Sequence, residues 1–198
     1  MSELLIVFCK NPEPGKVKTR LAKDIGYEKA FHVYEKLMEH TQRVAEINGR
    51  DYAIYYSDYI NKDDIWNNAV HKVLQTGSNM GERMSNAMAD GLSKGYRSVV
   101  LVGADIYDLT SDIIDYGFQK LTRSDVVIGP AKDGGYYLIG LKSEQREIFN
   151  IEKWSVSSVL KDTLNLVNTL GLSYQLLDEL NDIDDLDDLK ETDLIRLI

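Results

Sequence analysis

Seven apolar runs of strand length, spaced by intervals of helical length, constrain the fold of this chain more than any other feature. The runs are Leu4 to Cys9, Tyr52 to Tyr56, His71 to Leu74, Ser98 to Gly103, Asp125 to Ile128, Tyr136 to Leu141 and Ser173 to Leu177. Helical periodicity falls near 27–47, 80–94, 111–122, 156–170 and 185–197. Strand and helix alternate, so a three-layer α/β/α fold around a mostly parallel sheet is expected. In such sheets ligands gather beyond the carboxyl ends of the strands. That rule draws Lys10 to Arg20, Gln75 to Gly81, Gly103 to Asp108 and Pro130 to Gly135 onto one shared rim.

At 198 residues and 43% hydrophobic, the chain can bury one sizeable core and reads as a single domain over 1–198. Its longest apolar run is far short of the roughly 20 residues of a membrane span. Ser2-Glu3 gives no cationic start of the signal-peptide kind, so a cytoplasmic protein is expected. Cys9 is the single cysteine and lies within the first run, which makes a buried structural thiol its expected role. Three scattered histidines lack metal-ligand spacing and give no zinc site. The net charge of −9 is concentrated in Asp178 to Glu191, where eight acids face one base, Lys190. An acidic balance disfavours nucleic acid and anionic lipid, while a local basic loop can still hold one nucleotide.

That loop follows the first run. Pro12 and Pro14 stiffen it, Gly15 lets it turn, and Lys10, Lys16, Lys18 and Arg20 crowd within eleven residues. Converging cations and backbone N–H groups at a strand-to-helix junction suit phosphates, although solvated charged loops are also common. A Walker A reading fails, because Lys10 stands where the first glycine belongs and Val17 where Ser or Thr must be.

Asp105 closes the run Ser98 to Gly103 and would project from the sheet edge, a good place for Mg2+ or Mn2+ beside phosphate oxygens. The alternative is a turn or helix-cap role, for which Asp108 and Ser111 are better placed. In the acidic tail, Ile183, Leu186 and Leu189 are spaced to face inward, and either Asp182 or Asp184 could fold back to share the metal. Gln75 to Met84 joins a strand to a helix: its glycines permit close approach of a flat ligand, Gln75 could read a base edge, and Met84 and Met88 read as core. Asp133-Gly134-Gly135-Tyr136-Tyr137 could face an acceptor or simply form a hairpin turn. Trp154 could wall an acceptor pocket or cover the core.

Pro12 to Leu21, Gln75 to Met84, Gly103-Ala104-Asp105, Gly129 to Gly140 and Asp182-Ile183-Asp184, in this order along almost the whole chain, resemble one family. It is the bacterial GT-A-like DUF2064 group of glycosyltransferase type (radical-SAM/selenodomain-associated transferases), more distantly similar to the 2-phospholactate guanylyltransferases. The resemblance implies a nucleotide-diphospho-sugar transferase fold, with nucleotide on the first loop and Mg2+ or Mn2+ between Asp105 and a carboxylate carried to Asp184. The family segment commonly reads Gly-Ser-Asp-Cys-Pro; here Ile106 and Tyr107 replace the last two residues. Lys18, Arg20 and Asp105 are the expected catalytic set. Phe8, Lys10, Gly15, Lys18, Arg20, Gln75, Gly77, Gly81 and Arg83 are expected to meet the nucleotide. Asp133, Gly134, Gly135, Tyr136 and Trp154 are expected to meet a small phosphorylated or hydroxyl acceptor. Nucleotidyl transfer is the leading expectation; glycosyl transfer from a nucleoside-diphosphate sugar and a noncatalytic nucleotide-binding scaffold are the alternatives. Neither base, acceptor nor oligomeric state is legible.

Overall fold

A computed structural model describes residues 2–198. Its strands are β1 (Glu3–Cys9), β2 (Asp51–Tyr56), β3 (His71–Leu74), β4 (Ser98–Gly103), β5 (Val126–Pro130), β6 (Tyr136–Leu141) and β7 (Tyr174–Leu176). They form one seven-stranded sheet in the order β3-β2-β1-β4-β6-β5-β7. All pairings are parallel except those of β6, which runs antiparallel to both β4 and β5. Five residues separate β5 from β6, too few for a crossover, so the chain reverses in a hairpin.

The helices are α1 (Ala22–Ile25), α2 (Tyr27–Asn48), α3 (Met80–Ser93), α4 (Ser111–Leu121), α5 (Val159–Thr169) and α6 (Leu186–Lys190). Because both faces of β1 are covered, its apolar residues divide by parity. Leu5, Val7 and Cys9 pack with Tyr34 and Met38 of α2 and Phe118 of α4. Leu4 and Ile6 pack with Met84 and Met88 of α3. This two-sided burial is why β1 reads as a continuous apolar run. Cys9 is buried as expected, and burial pushes its thiol up to about 12, which leaves it inert.

Two local expectations need correction. The interval 185–197 is two elements: Asp185 and Asp188 make a capping box that starts α6, and Thr192 then leaves helical geometry to cap a 3-10 turn, Asp193–Leu197. The cap of α4 is Thr110, whose hydroxyl accepts from Ile113 N–H, so neither Asp108 nor Ser111 has that role. The chain also forms two short elements that periodicity does not reveal, α1 and a 3-10 turn at Arg146–Phe149. Ile183 and Leu189 are buried beside Val33 and Leu37, which docks the acidic tail onto α2. Among the described residues, no helix is long and apolar enough to cross a membrane.

Candidate active site

From β1 the chain proceeds to β2 on one side, whereas β4 leaves on the other, so the order reverses between these two neighbours. Lys10 and Asp105 follow their carboxyl ends. Asn11, which sequence reasoning passed over, fixes the start of the basic loop. It is 3% exposed, its Nδ2 donates to Tyr59 O at 2.9 Å, and its Oδ1 accepts from Asp58 N–H at 3.0 Å. The buried Tyr34 hydroxyl donates to Lys10 O at 2.9 Å. Further along, Lys16 pairs with Glu13 at 2.6 Å, and Lys18 takes a left-handed backbone at φ 46°.

Lys18 turns inward. Its side chain is 3% exposed, and Nζ lies 2.8 Å from Asp105 Oδ2 and 3.8 Å from Asp184 Oδ1. Arg20 donates to the other Asp184 oxygen at 2.9 Å. The tail thus folds back to the rim, as expected, and Asp105 and Asp184 face each other across an ammonium. Burial opposes the charge on Lys18, but Asp105, then Asp184 and Asp182, outweigh it and hold its pKa above the ordinary value. Burial likewise opposes ionisation of Asp105; attraction to Lys18, their hydrogen bond and Lys10 reverse the balance and hold it below the usual carboxylate range. Asp182 has no such partner, so burial followed by repulsion from Asp184, Asp133 and Asp105 lifts it to about 6.

Two adjoining cavities, each of about 330 Å3, open at this rim. One is walled mainly by apolar groups, among them Phe8, Met80, Met84, Tyr136 and Trp154. The other is polar and lined by Lys10, Lys16, Lys18, Thr19 and Arg20. Lys10, Tyr34, Asp105 and Asp133 belong to both. The rim segments expected to converge therefore do so.

The remaining expected residues divide by what surrounds them. Gln75 donates through Nε2 to Tyr55 O at 2.8 Å and leaves its amide oxygen for a ligand in the apolar cavity. Arg83, also in that wall, has no carboxylate partner among the described residues. Gly15, Gly77, Gly81 and Gly134 lie outside both linings. At Gly81 a Cβ would sit 2.7 Å from the Trp154 ring and overlap Phe149 O, so the missing side chain seats Trp154 rather than a ligand. At Gly134, φ is 88° and a Cβ would overlap Ser157 O; this joins the hairpin loop to the segment entering α5. Gly135 and Asp133 do line the apolar cavity, Asp133 Oδ1 accepting from Gly135 N–H at 2.7 Å. Trp154 meets Tyr136 edge-on at 6.5 Å; it packs against the core and walls the cavity at once.

The carboxylates fit a hard cation in kind. Mg2+ takes one or two carboxylates plus phosphate oxygens, and Asp105 and Asp184 provide hard oxygens with no soft donor beside them. The polar cavity also has a charge deficit for a triphosphate, because Lys10, Lys16, Lys18 and Arg20 are opposed within it by Asp105, Asp133 and Asp184. Among the described residues, no group of three or more Asp, Glu, His or Cys side chains is placed to hold a metal ion, and the Lys18 ammonium stands between Asp105 and Asp184.

Comparison with known proteins agrees with this frame. The model of a family described as an uncharacterized protein conserved in bacteria (DUF2064) matches residues 40–156. A provisionally named nucleotide-diphospho-sugar transferase from Desulfovibrio desulfuricans G20 superposes with a TM-score of 0.89 at 31% identity, covering 100% of this chain and 94% of that one. The 4-diphosphocytidyl-2C-methyl-D-erythritol synthase of Anaerococcus prevotii DSM 20548 shares the fold at a TM-score of 0.60 and 9% identity, covering 100% and 99%. The inositol-1-phosphate CTP transferase of T. maritima does so at 0.57 and 14%, covering 99% and 96%. No curated protein matches the chain.

Proposed function

This chain belongs to the DUF2064 family of proteins conserved in bacteria, and from that premise we propose that it is a metal-dependent nucleotidyltransferase acting on a small acceptor. The observation that carries the reading is the junction at Lys10 and Asp105 of an apolar cavity with a cationic one. A nucleotide has the same division, a flat apolar base beside a polyanionic chain. In this reading Phe8, Gln75 and Arg83 hold the nucleoside, while Lys10, Lys18, Thr19 and Arg20 hold the phosphates. An acceptor oxygen bonds to the α-phosphorus as the bond to the β-phosphate breaks, pyrophosphate leaves with that electron pair, and the proton of a hydroxyl acceptor passes to solvent. Lys18 and Arg20 neutralise the leaving group. With Lys18 turned from between them to the phosphates, Asp105 and Asp184 would hold the divalent ion, which when bound supplies the positive charge that the polar cavity lacks.

A second reading, glycosyl transfer from a nucleoside-diphosphate sugar, is favoured by the name of the Desulfovibrio protein. It breaks the anomeric C–O bond and releases a nucleoside diphosphate without pyrophosphate. Thermal-shift titration with nucleoside triphosphates and nucleoside-diphosphate sugars, with and without Mg2+, in wild type and Asp105→Ala, tests both. A Mg2+-dependent triphosphate shift that Asp105→Ala abolishes, with pyrophosphate release on adding acceptors, supports nucleotidyl transfer. A shift with diphosphate sugars alone selects glycosyl transfer. Silence across the panel refutes nucleotide binding; a nucleotide shift without turnover of any acceptor selects the noncatalytic scaffold.

A further inference from the structure

We propose that the acceptor is an uncharged or cationic hydroxyl compound, such as a polyol or amino sugar, and carries no phosphate or carboxylate of its own. The inference rests on the nucleotide reading above and narrows it. Strand order divides the apolar cavity by charge. On the side of β3, β2 and β1 the ionic side chains are cations, Lys10 and Arg83. On the side of β6, β5 and β7 they are Asp133 and Asp182, with no lysine or arginine among the lining residues. The two acids are brought together by the backbone: Leu180 N–H donates to Pro130 O and Lys132 N–H to Leu180 O, which lays the acidic tail along the hairpin loop. Lys132 itself points to Glu191, 3.5 Å away.

Carboxylates that face a ligand need hydrogen-bond donors from it. A hydroxyl or an ammonium supplies such a donor. A phosphate monoester would instead bring two further negative charges against Asp133 and Asp182, and a binding site excludes partners by such like-charge contact.

Saturation-transfer NMR on the full chain tests this with matched probes: glucosamine against glucosamine 6-phosphate, and glycerol against glycerol 3-phosphate. The wild type should prefer the unphosphorylated member of each pair by about tenfold or more. Asp133→Asn with Asp182→Asn should erase or reverse that preference. Asp133→Asn alone keeps an oxygen for the Gly135 N–H and should move the preference in the same direction if the double variant does not fold. Preference for the phosphate esters, preference unchanged in the variants, or silence from all four probes overturns the inference. Failure of the nucleotide reading is distinguished by the nucleotide panel, where no triphosphate or diphosphate sugar would then shift the melting temperature.

Discussion

Replacing Lys18 with Met tests the central electrostatic claim, because Met keeps much of the buried stem and removes only the charge. The backbone strain at φ 46° is common to both chains and cancels. Removing one partner of a fully enclosed ion pair costs about 3–5 kcal/mol, since the survivor is left buried and unpaired. Here the survivors are partly wetted, Asp105 and Asp184 side chains being 33% and 38% exposed. Solvent screening should reduce the loss to roughly 2 kcal/mol. For a chain of this size that corresponds to a fall of about 4–8 °C in Tm.

The assay is thermal unfolding of both proteins in EDTA and again in Mg2+. Without the ammonium the facing carboxylates are free to hold the ion, and occupancy at about ten times Kd adds roughly 1.4 kcal/mol. Mg2+ should therefore stabilise Lys18→Met more than wild type and close much of the gap. Adding Asp105→Asn to Lys18→Met should recover part of the EDTA loss, since the orphaned charge is then gone. Equal stability of variant and wild type in EDTA would refute the burial argument. An identical Mg2+ response in both would refute the assignment of the ion to Asp105 and Asp184.

Gly81→Ala should cost about 2 kcal/mol or more, because its Cβ meets the Phe149 backbone and the Trp154 ring, and it should change near-UV circular dichroism as Trp154 leaves its seat. Cys9, with its thiol pushed up to about 12 by burial, should resist iodoacetamide at pH 8 in the native protein and react fully in guanidinium. Asp125→Ala should loosen the join between β5 and β7 by roughly 1 kcal/mol, since Asp125 Oδ2 accepts from Ser173 N–H at 2.9 Å and from its hydroxyl at 2.6 Å. Those bonds lower the Asp125 pKa below 3.8, so its contribution is complete above that pH and lost as pH falls through the native value. Urea titrations from pH 7 to pH 2 should show wild type and variant converging at the acid end.

The inner strands were legible because each is short, apolar and bounded, and the sheet buries both of their faces, whereas the edge strands β3 and β7 are only half-buried. The direction of β6 could also have been read, from the five residues that separate it from β5. Helix ends were less legible: the long interval after Asp185 has helical spacing, but Thr192 breaks it by capping a new turn, a choice made by one hydroxyl. Rim membership followed from topology alone, since a loop after a parallel strand must lie at the carboxyl edge.

Roles within the rim were harder, because they depend on partners far away in sequence. Lys18 and Arg20 read as free phosphate ligands, yet they reach acids 87 and 164 residues distant. Gly77 and Gly81 read as room for a ligand, yet protein fills that room: the α3 entry at Gly77, and Trp154 with Phe149 O at Gly81. A glycine records that a Cβ is forbidden without recording what forbids it. Charge behaves differently. The two cavity cations follow β1 and β3, the two acids of the opposite wall follow β5 and β7, and Asp105 stands between them after β4. A sheet whose order reverses between β1 and β4 separates two groups of loops, and each group can acquire one sign without disturbing the other. The polarity that would sort nucleotide from acceptor is thus a property of strand order joined to loop composition, and Lys18 and Arg20 are the contacts through which the basic loop crosses to the acidic side.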